Sequence, residues 1–276
     1  MPELPEVETI RRGLAGVLPG RRLEQVTIRD GRLTAPVDPD EIAAELTGER
    51  VDAIGRRGKY LLIGLEDERT LLVHLRMTGS FRHSPAGEPE PGHVRAEAVL
   101  DDGSLLRYCD LRRFGTWRLL EREQLDPYLD ARLGPEPLDG WTALDLRASL
   151  RGRMAPIKAA LLDQRVVAGV GNIYADEALW EARVHPLEPA GRLSAARVSR
   201  IHAGVVAALE RGVESQGATI RDHRRLDGGY GSMQERFAVY GRGGLPCTRC
   251  GAPIRKIRVA QRGTHFCARC TPSPRP

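Results

Sequence analysis

The sequence predicts an α+β fold built in two successive parts, strands first and helices second. Three observations carry this expectation. Short apolar runs of β character fill residues 50–120, helical periodicity takes over beyond a Gly/Pro-rich stretch at 133–137, and two Cys-x2-Cys pairs lie near the C-terminus.

The opening MPELPEVETIRRGLAGVLPG has Val7, Ile10, Leu14, Val17 and Leu18 at helical spacing, acids in the first turn and Gly20 where a C-terminal cap belongs. It predicts an amphipathic helix with an extended lead-in. The runs RVDAIGRR, KYLLIGL, RTLLVHLRM, VRAEAVL, SLLRYCD and TWRLLE follow, separated by turn signals such as Glu66-Asp67 and Asp101-Asp102-Gly103. Together they predict an antiparallel sandwich or barrel. Past Leu133-Gly134-Pro135-Glu136-Pro137, Thr142 and Asp145 form a plausible capping pair for a helical sequence. Further helices are expected over Pro156–Gln164, Ile173–Ala182 and Ser194–Ser215, the last with Val198, Ile201, Val205, Val206, Leu209 and Val213 on one stripe. Residues 221–234 have little periodicity and read as a long glycine-containing loop, and the final Pro-Ser-Pro-Arg-Pro reads as a frayed tail. The expected divisions are 1–134, 135–240 and 241–276.

With 276 residues, 41% hydrophobic and 29% charged, the chain can bury more than one core. No apolar run approaches membrane-spanning length, and acids stand where a secretory signal needs an apolar stretch, so a soluble, cytoplasmic protein is expected. The net charge of +5 suggests a polyanionic partner, and its distribution sharpens the suggestion. From Arg236 onward there are nine basic residues and no acid. Only three of the 42 basic residues are lysine, namely Lys59, Lys158 and Lys256, which marks each as a site where a compact ammonium could be needed.

Cys247-x2-Cys250 and Cys267-x2-Cys270 are separated by sixteen residues, which is metal-ligand spacing. Four thiolates from two tight knuckles can close a tetrahedral shell around one structural zinc and leave no open coordination position. Disulfides or four buried free thiols are the alternatives. Between the knuckles, RKIRVAQRGTHF predicts a β-hairpin that presents Arg255, Lys256, Arg258 and Arg262 to phosphates. Cys109 lies in a strand pattern and reads as core.

The segments MPELPEVET, RRGKYLL, HLRMTGS, RRFG, LLDQRVVAGVGNIYADEALW and VYGR, with QRGTHFC between the cysteine pairs, resemble the formamidopyrimidine-DNA glycosylase family from one end of the chain to the other. The resemblance implies an N-terminal catalytic β-sandwich with flanking helices, then a helical helix-two-turns-helix domain with a zinc β-hairpin, and damaged double-stranded DNA in the cleft between them. It implies base excision repair of oxidised purines by a DNA glycosylase that is also an abasic-site lyase, acting as a monomer with no nucleotide cofactor and no membrane, in the nucleoid of a prokaryote.

The resemblance also assigns residues. Removal of Met1 would give Pro2 a secondary amine that attacks the sugar C1′, and the iminium so formed acidifies a neighbouring sugar hydrogen and permits β,δ-elimination. Glu3 would protonate the sugar ring oxygen, and Lys59 would reach a phosphate and the reacting sugar. Glu6 has a less direct part, while charge at a helix N-terminus suffices to explain Glu8. Met77, Arg112 and Phe114 match the trio that fills the void left by a flipped nucleotide. Asn172 and Arg262 would grip flanking phosphates, and Lys158 falls in a family basic segment. Without the resemblance, Pro2 reads as a helix lead-in, Lys59 as a solvated turn cation, Met77 and Phe114 as core, and Asn172 as a plain helix cap.

Three positions depart from the family pattern: Arg76 for a usual glycine, Leu111 for a usual proline, and Met154 where a basic residue is frequent. The loop DHRRLDGGYGSMQERF also differs. These departures bear on lesion preference, opposite-base selectivity and lid contacts. The rival readings are an oxidised-pyrimidine enzyme of the related endonuclease VIII branch, a non-catalytic nucleic-acid binder, and an enzyme with a catalytic zinc.

Overall fold

The computed structural model describes residues 1–220 and 224–272. The terminal four residues of the expected tail and residues 221–223 of the expected loop lie outside that range. The described chain divides into two compact units, residues 1–131 with 215–232, and residues 132–214 with 233–276.

In the first unit, the elements in order are α1 (Leu4–Ala15), β1 (Leu23–Ile28), α2 (Pro39–Leu46), β2 (Val51–Arg57), β3 (Tyr60–Leu65), β4 (Thr70–His74), β5 (Ser80–Ser84), β6 (Val94–Leu100), β7 (Leu105–Cys109), β8 (Thr116–Leu120) and α3 (Arg122–Asp130). They build two four-stranded antiparallel sheets, ordered β1-β6-β7-β5 and β2-β3-β4-β8. Both sheets contribute to one apolar core. Phe81 of β5, Tyr108 of β7 and Trp117 of β8 meet in it, with ring centroids 5.2–6.2 Å apart. Strand β6 alternates strictly between buried and half-buried positions, the period-two pattern of a strand with one face on a core.

Helix α1 seats Val7, Ile10 and Leu14, all fully buried, in that same core, each burial contributing roughly 1.5–3 kcal/mol. It ends at Ala15 with Gly16 as its C-cap, five residues before the turn glycine Gly20 and about one turn short of the expected end. Val17 and Leu18 still pack inward from the turn beyond. Sequence periodicity alone cannot separate a last helical turn from a packed turn that follows it.

The second unit comprises α4 (Ala143–Leu150), α5 (Ile157–Leu162), α6 (Asn172–Ala182), α7 (Ala195–Glu214) and a two-stranded hairpin of β9 (Arg255–Val259) and β10 (Arg262–Phe266). The expected capping pair starts α4: Asp145 N donates to Thr142 Oγ1 at 3.2 Å and Thr142 N to Asp145 Oδ2 at 2.9 Å. Helix α7 buries Val198, Ile201, Val205 and Leu209 on the expected stripe, with Val206 and Val213 at its half-buried margin. None of the described helices is long and apolar enough to cross a membrane.

Candidate functional site

The first cluster of functional side chains surrounds the N-terminus of α1. Met1 is exposed, whereas Pro2, Glu3 and Glu6 are buried. Glu3 is the N-cap residue: its side chain accepts from the backbone of Glu6, and Glu3 N donates to Glu6 Oε2 at 2.8 Å. The second oxygen of Glu6 accepts from Ala218 N at 2.7 Å, so this carboxylate fixes both the start of α1 and the segment that re-enters the first unit. Such double acceptance from backbone N–H groups leaves little rotational freedom. Glu8 lies outside the arrangement. It pairs with Arg11 and Arg12 on its own helix and with Arg56 of β2 at 3.1 Å; burial acts to raise its carboxyl, yet the three guanidinium groups hold it below the ordinary carboxylate range.

The Arg56 contact ties α1 to the β2–β3 hairpin, whose two-residue turn carries Lys59. Gly58 opens that turn with φ +57°, the left-handed conformation that a type II′ turn requires at its first position. Lys59 is only 5% exposed, so the reading of a solvated turn cation does not hold. Its neighbour His74 is a functional residue that sequence reasoning missed. This buried imidazole accepts from Arg76 N at Nδ1, 3.0 Å away, which places its ring proton on Nε2. Burial, with the Arg76 and Lys59 cations nearby, pushes it down to about 3, so it is a neutral hydrogen-bond donor at physiological pH. A histidine ending a short strand with an apolar Leu71-Leu72-Val73 centre is the only trace it leaves in the sequence.

Two adjoining loops hold the candidate void-filling trio. Buried Asp110 accepts from the Thr78 hydroxyl, from Arg112 N at 3.2 Å and from Gly115 N at 2.8 Å, while Thr78 Oγ1 itself accepts from Arg112 N at 3.0 Å. Gly79 and Gly115 close around the Tyr108 hydroxyl so tightly that a Cβ would stand 2.3 and 1.9 Å from it. Arg113, with φ +59°, is clamped by Asp30 through bonds of 2.6 and 2.8 Å. The loop is therefore rigid at its base and presents its other side chains outward. Phe114 is 52% exposed with Arg112 Cζ 4.8 Å from its ring centroid, and Met77 is half-buried. A core role for Phe114 is thereby overturned.

Of the three departures, Arg76 has φ +53°, a conformation that costs a non-glycine residue roughly 1–2 kcal/mol and that a glycine adopts freely. Leu111 and Met154 are both exposed. Neither side chain supports the fold around it.

In the second unit, Gly171 rather than Asn172 is the N-cap of α6, and Asn172 makes no capping bond. Its Nδ2 donates instead to Gly263 O of the hairpin at 3.0 Å. Lys158 reaches the same carbonyl at 3.1 Å and Thr264 Oγ1 at 2.8 Å, and it pairs with Asp176 Oδ1 at 2.6 Å. Asp176 Oδ2 accepts from His265 N at 2.8 Å. Both charged side chains are completely buried. Lys158 is thus an internal brace for β10 rather than a surface cation, a distinction its position in a basic segment could not reveal. Immediately before the braced residues, Arg262 is exposed at the start of β10, after a turn in which Ala260 and Gln261 both have positive φ. Arg255, Lys256 and Arg258 are exposed on β9, as the hairpin reading expects. Glu177 holds the VYGR segment by accepting from the backbone N–H groups of Ala238, Val239 and Tyr240; burial raises its carboxyl and these three bonds partly counter that rise.

The four cysteines converge, with all ligand atoms within 4.8 Å of one another. Sγ separations of 3.9 Å for Cys247–Cys270 and 3.4 Å for Cys250–Cys267 lie near the edge of about 3.8 Å expected for a tetrahedron with Zn–S of about 2.3 Å, and far from the length of about 2.05 Å of a disulfide. Burial raises the Cys267 and Cys270 thiols, and the crowded neighbouring cysteines raise them further, Cys270 to about 12. A central dication removes that conflict by deprotonating all four. Four protein ligands leave no position for a reacting water, which excludes a catalytic role for the metal.

Three family domains match along the chain: the formamidopyrimidine-DNA glycosylase N-terminal domain over residues 1–117, the formamidopyrimidine-DNA glycosylase H2TH domain over 133–224, and the zinc finger found in FPG and IleRS over 244–272. The chain is 49% identical to the formamidopyrimidine-DNA glycosylase of Symbiobacterium thermophilum over 99% of its length and 90% of the relative's, and 45% identical to that of Chloroflexus aurantiacus over 98% and 97%. Among solved structures, it resembles a complex between the Lactococcus lactis Fpg and an abasic site containing DNA, with a TM-score of 0.92 at 38% identity over 98% of this chain and 100% of that one. A complex of the wild-type Lactococcus lactis protein with N7-benzyl-Fapy-dG containing DNA matches with a TM-score of 0.92 at 38% identity, covering 99% and 100%.

Proposed function

The chain belongs to the formamidopyrimidine-DNA glycosylase family, and from that premise we propose that it excises oxidised purines from duplex DNA and then cleaves the strand as a lyase. The observation that carries the reading is the burial of Pro2, Glu3, Glu6 and Lys59 in the unit whose helix start is built around a reciprocal cap, behind an exposed Met1. Hydrolysis of the Met1–Pro2 bond turns an amide nitrogen into a secondary amine. That amine attacks C1′ of the damaged nucleotide; the N–C1′ bond forms as the glycosidic bond breaks and the base leaves. Glu3 gives a proton to the sugar ring oxygen as the ring opens, and the resulting iminium acidifies the C2′ hydrogen. Loss of that proton expels the 3′ phosphate, and a second elimination expels the 5′ phosphate.

In this reading Lys59 faces a phosphate and the reacting sugar from its buried hairpin turn. Met77, Arg112 and Phe114 occupy the space vacated by the flipped nucleotide, offsetting a stacking loss of a few kcal/mol. Asn172 and Arg262 hold phosphates. Residues 1–134 carry the chemistry, 135–240 the helical DNA contacts, and 241–276 the zinc hairpin, with Cys247, Cys250, Cys267 and Cys270 around a structural zinc.

Incubation of the mature, zinc-loaded protein with duplexes containing one 8-oxoguanine opposite cytosine, or one dihydrouracil, tests the reading. Release of 8-oxoguanine in preference to dihydrouracil, leaving phosphate at both ends of the gap, is the expected result. Preference for dihydrouracil would move the protein to the oxidised-pyrimidine branch, and release of neither would leave only binding.

A further inference from the structure

One aromatic side chain of α6 packs against the cysteines of the zinc module. Trp180, two residues from the end of that helix, directs its indole Nε1–H at Cys247 Sγ over 3.4 Å and packs on the small core of Val239, Cys247, Ile254 and Cys267. Arg249, from the same knuckle as Cys247, folds back over the indole. Its Cζ lies 3.8 Å from the ring centroid, its Nη1 donates to Trp180 O at 2.9 Å, and its Nη2 lies 3.7 Å from Glu181 Oε2. The chain has two other tryptophans, Trp117 and Trp141, and each buries an indole N–H that has no partner among the described residues. Only the Trp180 indole is aimed at sulfur.

A zinc ion held by four thiolates leaves the site with a formal excess of two negative charges, most of it on sulfur. A donor fixed on one sulfur draws off part of that charge, makes the sulfur a poorer nucleophile and proton acceptor, and holds it in the geometry the metal needs. A guanidinium stacked on the donor's ring keeps the indole in its rotamer and adds positive potential next to the knuckle. We propose that Trp180 is an outer-shell hydrogen-bond donor that slows loss of zinc through Cys247, with Arg249 as the residue that positions it. Neither side chain is a ligand. The pair makes retention of the metal depend on α6, the helix whose first residue, Asn172, bonds the hairpin at Gly263.

Two substitutions separate the components. Trp180→Phe keeps a ring for Arg249 to stack on and removes only the N–H; Arg249→Met keeps the bulk and removes the cation. Zinc transfer from purified holoprotein to a chromogenic chelator is expected to be about tenfold faster or more for Trp180→Phe, and less accelerated for Arg249→Met, with far-ultraviolet circular dichroism unchanged before release. A wild-type release rate in folded Trp180→Phe overturns the proposal. A direct measurement needs no variant: in ¹⁵N-labelled protein loaded with ¹¹³Cd, the Trp180 indole proton should show scalar coupling to the metal through the sulfur, and the other two indole protons should not. Absence of that coupling overturns the assignment even if the substituted proteins do not fold.

Discussion

The two units both bury charge, but in contrasting company. In the second, Lys158 and Asp176 pair with each other and also bond the backbone and one hydroxyl of β10, with His265 Nδ1 3.4 Å from Asp176 Oδ2. In the first, Glu3, Glu6, Lys59 and His74 are buried around a helix start and a hairpin turn, and two of them belong to the first six residues of the chain. The second unit's pair braces the hairpin, whereas the proposed function sets the first unit's groups beside a terminus that becomes an amine on processing. Substitution on the two sides should therefore register in different measurements.

The largest effect on stability is expected from Lys158→Met. It leaves Asp176 buried without its cation, which costs about 3–5 kcal/mol, and a double variant that also replaces Asp176 by Leu should recover part of the loss. Urea unfolding of zinc-loaded protein measures both. Equal stability of the wild type and Lys158→Met would erase the contrast between the units.

A smaller effect, tied to acid, comes from His74 in the first unit. The unfolded chain takes up a proton on this imidazole near 6.5 and the folded chain only at about 3, so between these values the unfolded state binds more protons. Stability contributed by the neutral ring is present above about pH 6.5 and is lost on acidification towards 3, at up to about 1.4 kcal/mol per pH unit. His74→Asn keeps an acceptor for Arg76 N without a titrating ring. Its unfolding midpoint should fall less than that of the wild type between pH 7 and pH 4.5, and parallel falls would remove His74 from the account.

Arg262→Ala should have the mildest consequence, because the side chain is exposed and the backbone of the next residue, Gly263, is braced by others. Loss of one phosphate contact predicts weaker DNA binding irrespective of sequence and a salt slope lower by about 0.9. Titrations at several salt concentrations check this, with an unchanged slope counting against the contact.

Much of the architecture was legible because it rests on periodicity. Strand β6 was located to the residue, and α6 and α7 to within one residue at each end. Elements that bury little were passed over: β5 presents Phe81 as its one large apolar side chain, and α3 buries only Leu129. Strand β1 was lost for a different reason, its alternation being broken by a bulge between Leu23 and Gln25. The same limit applies to the site. Cysteine spacing encodes a metal shell locally, so the four ligands could be read directly. Nothing local distinguishes Lys158, a fully buried brace, from Lys59, a buried turn lysine, since burial depends on what the rest of the chain folds around them. Asp110 acts through the Thr78 hydroxyl 32 residues away, and Trp180 through a sulfur 67 residues away.

In the proposed reaction the chemistry begins at the N-terminal amine of Pro2. It is tested most directly by borohydride reduction of the mature, zinc-loaded protein on duplexes carrying 8-oxoguanine opposite cytosine, dihydrouracil or no damage, with the adduct located by peptide mass spectrometry. A covalent adduct on the N-terminal peptide is expected, strongest with 8-oxoguanine and absent without damage. An adduct confined to a lysine, or none on any damaged duplex, would contradict it.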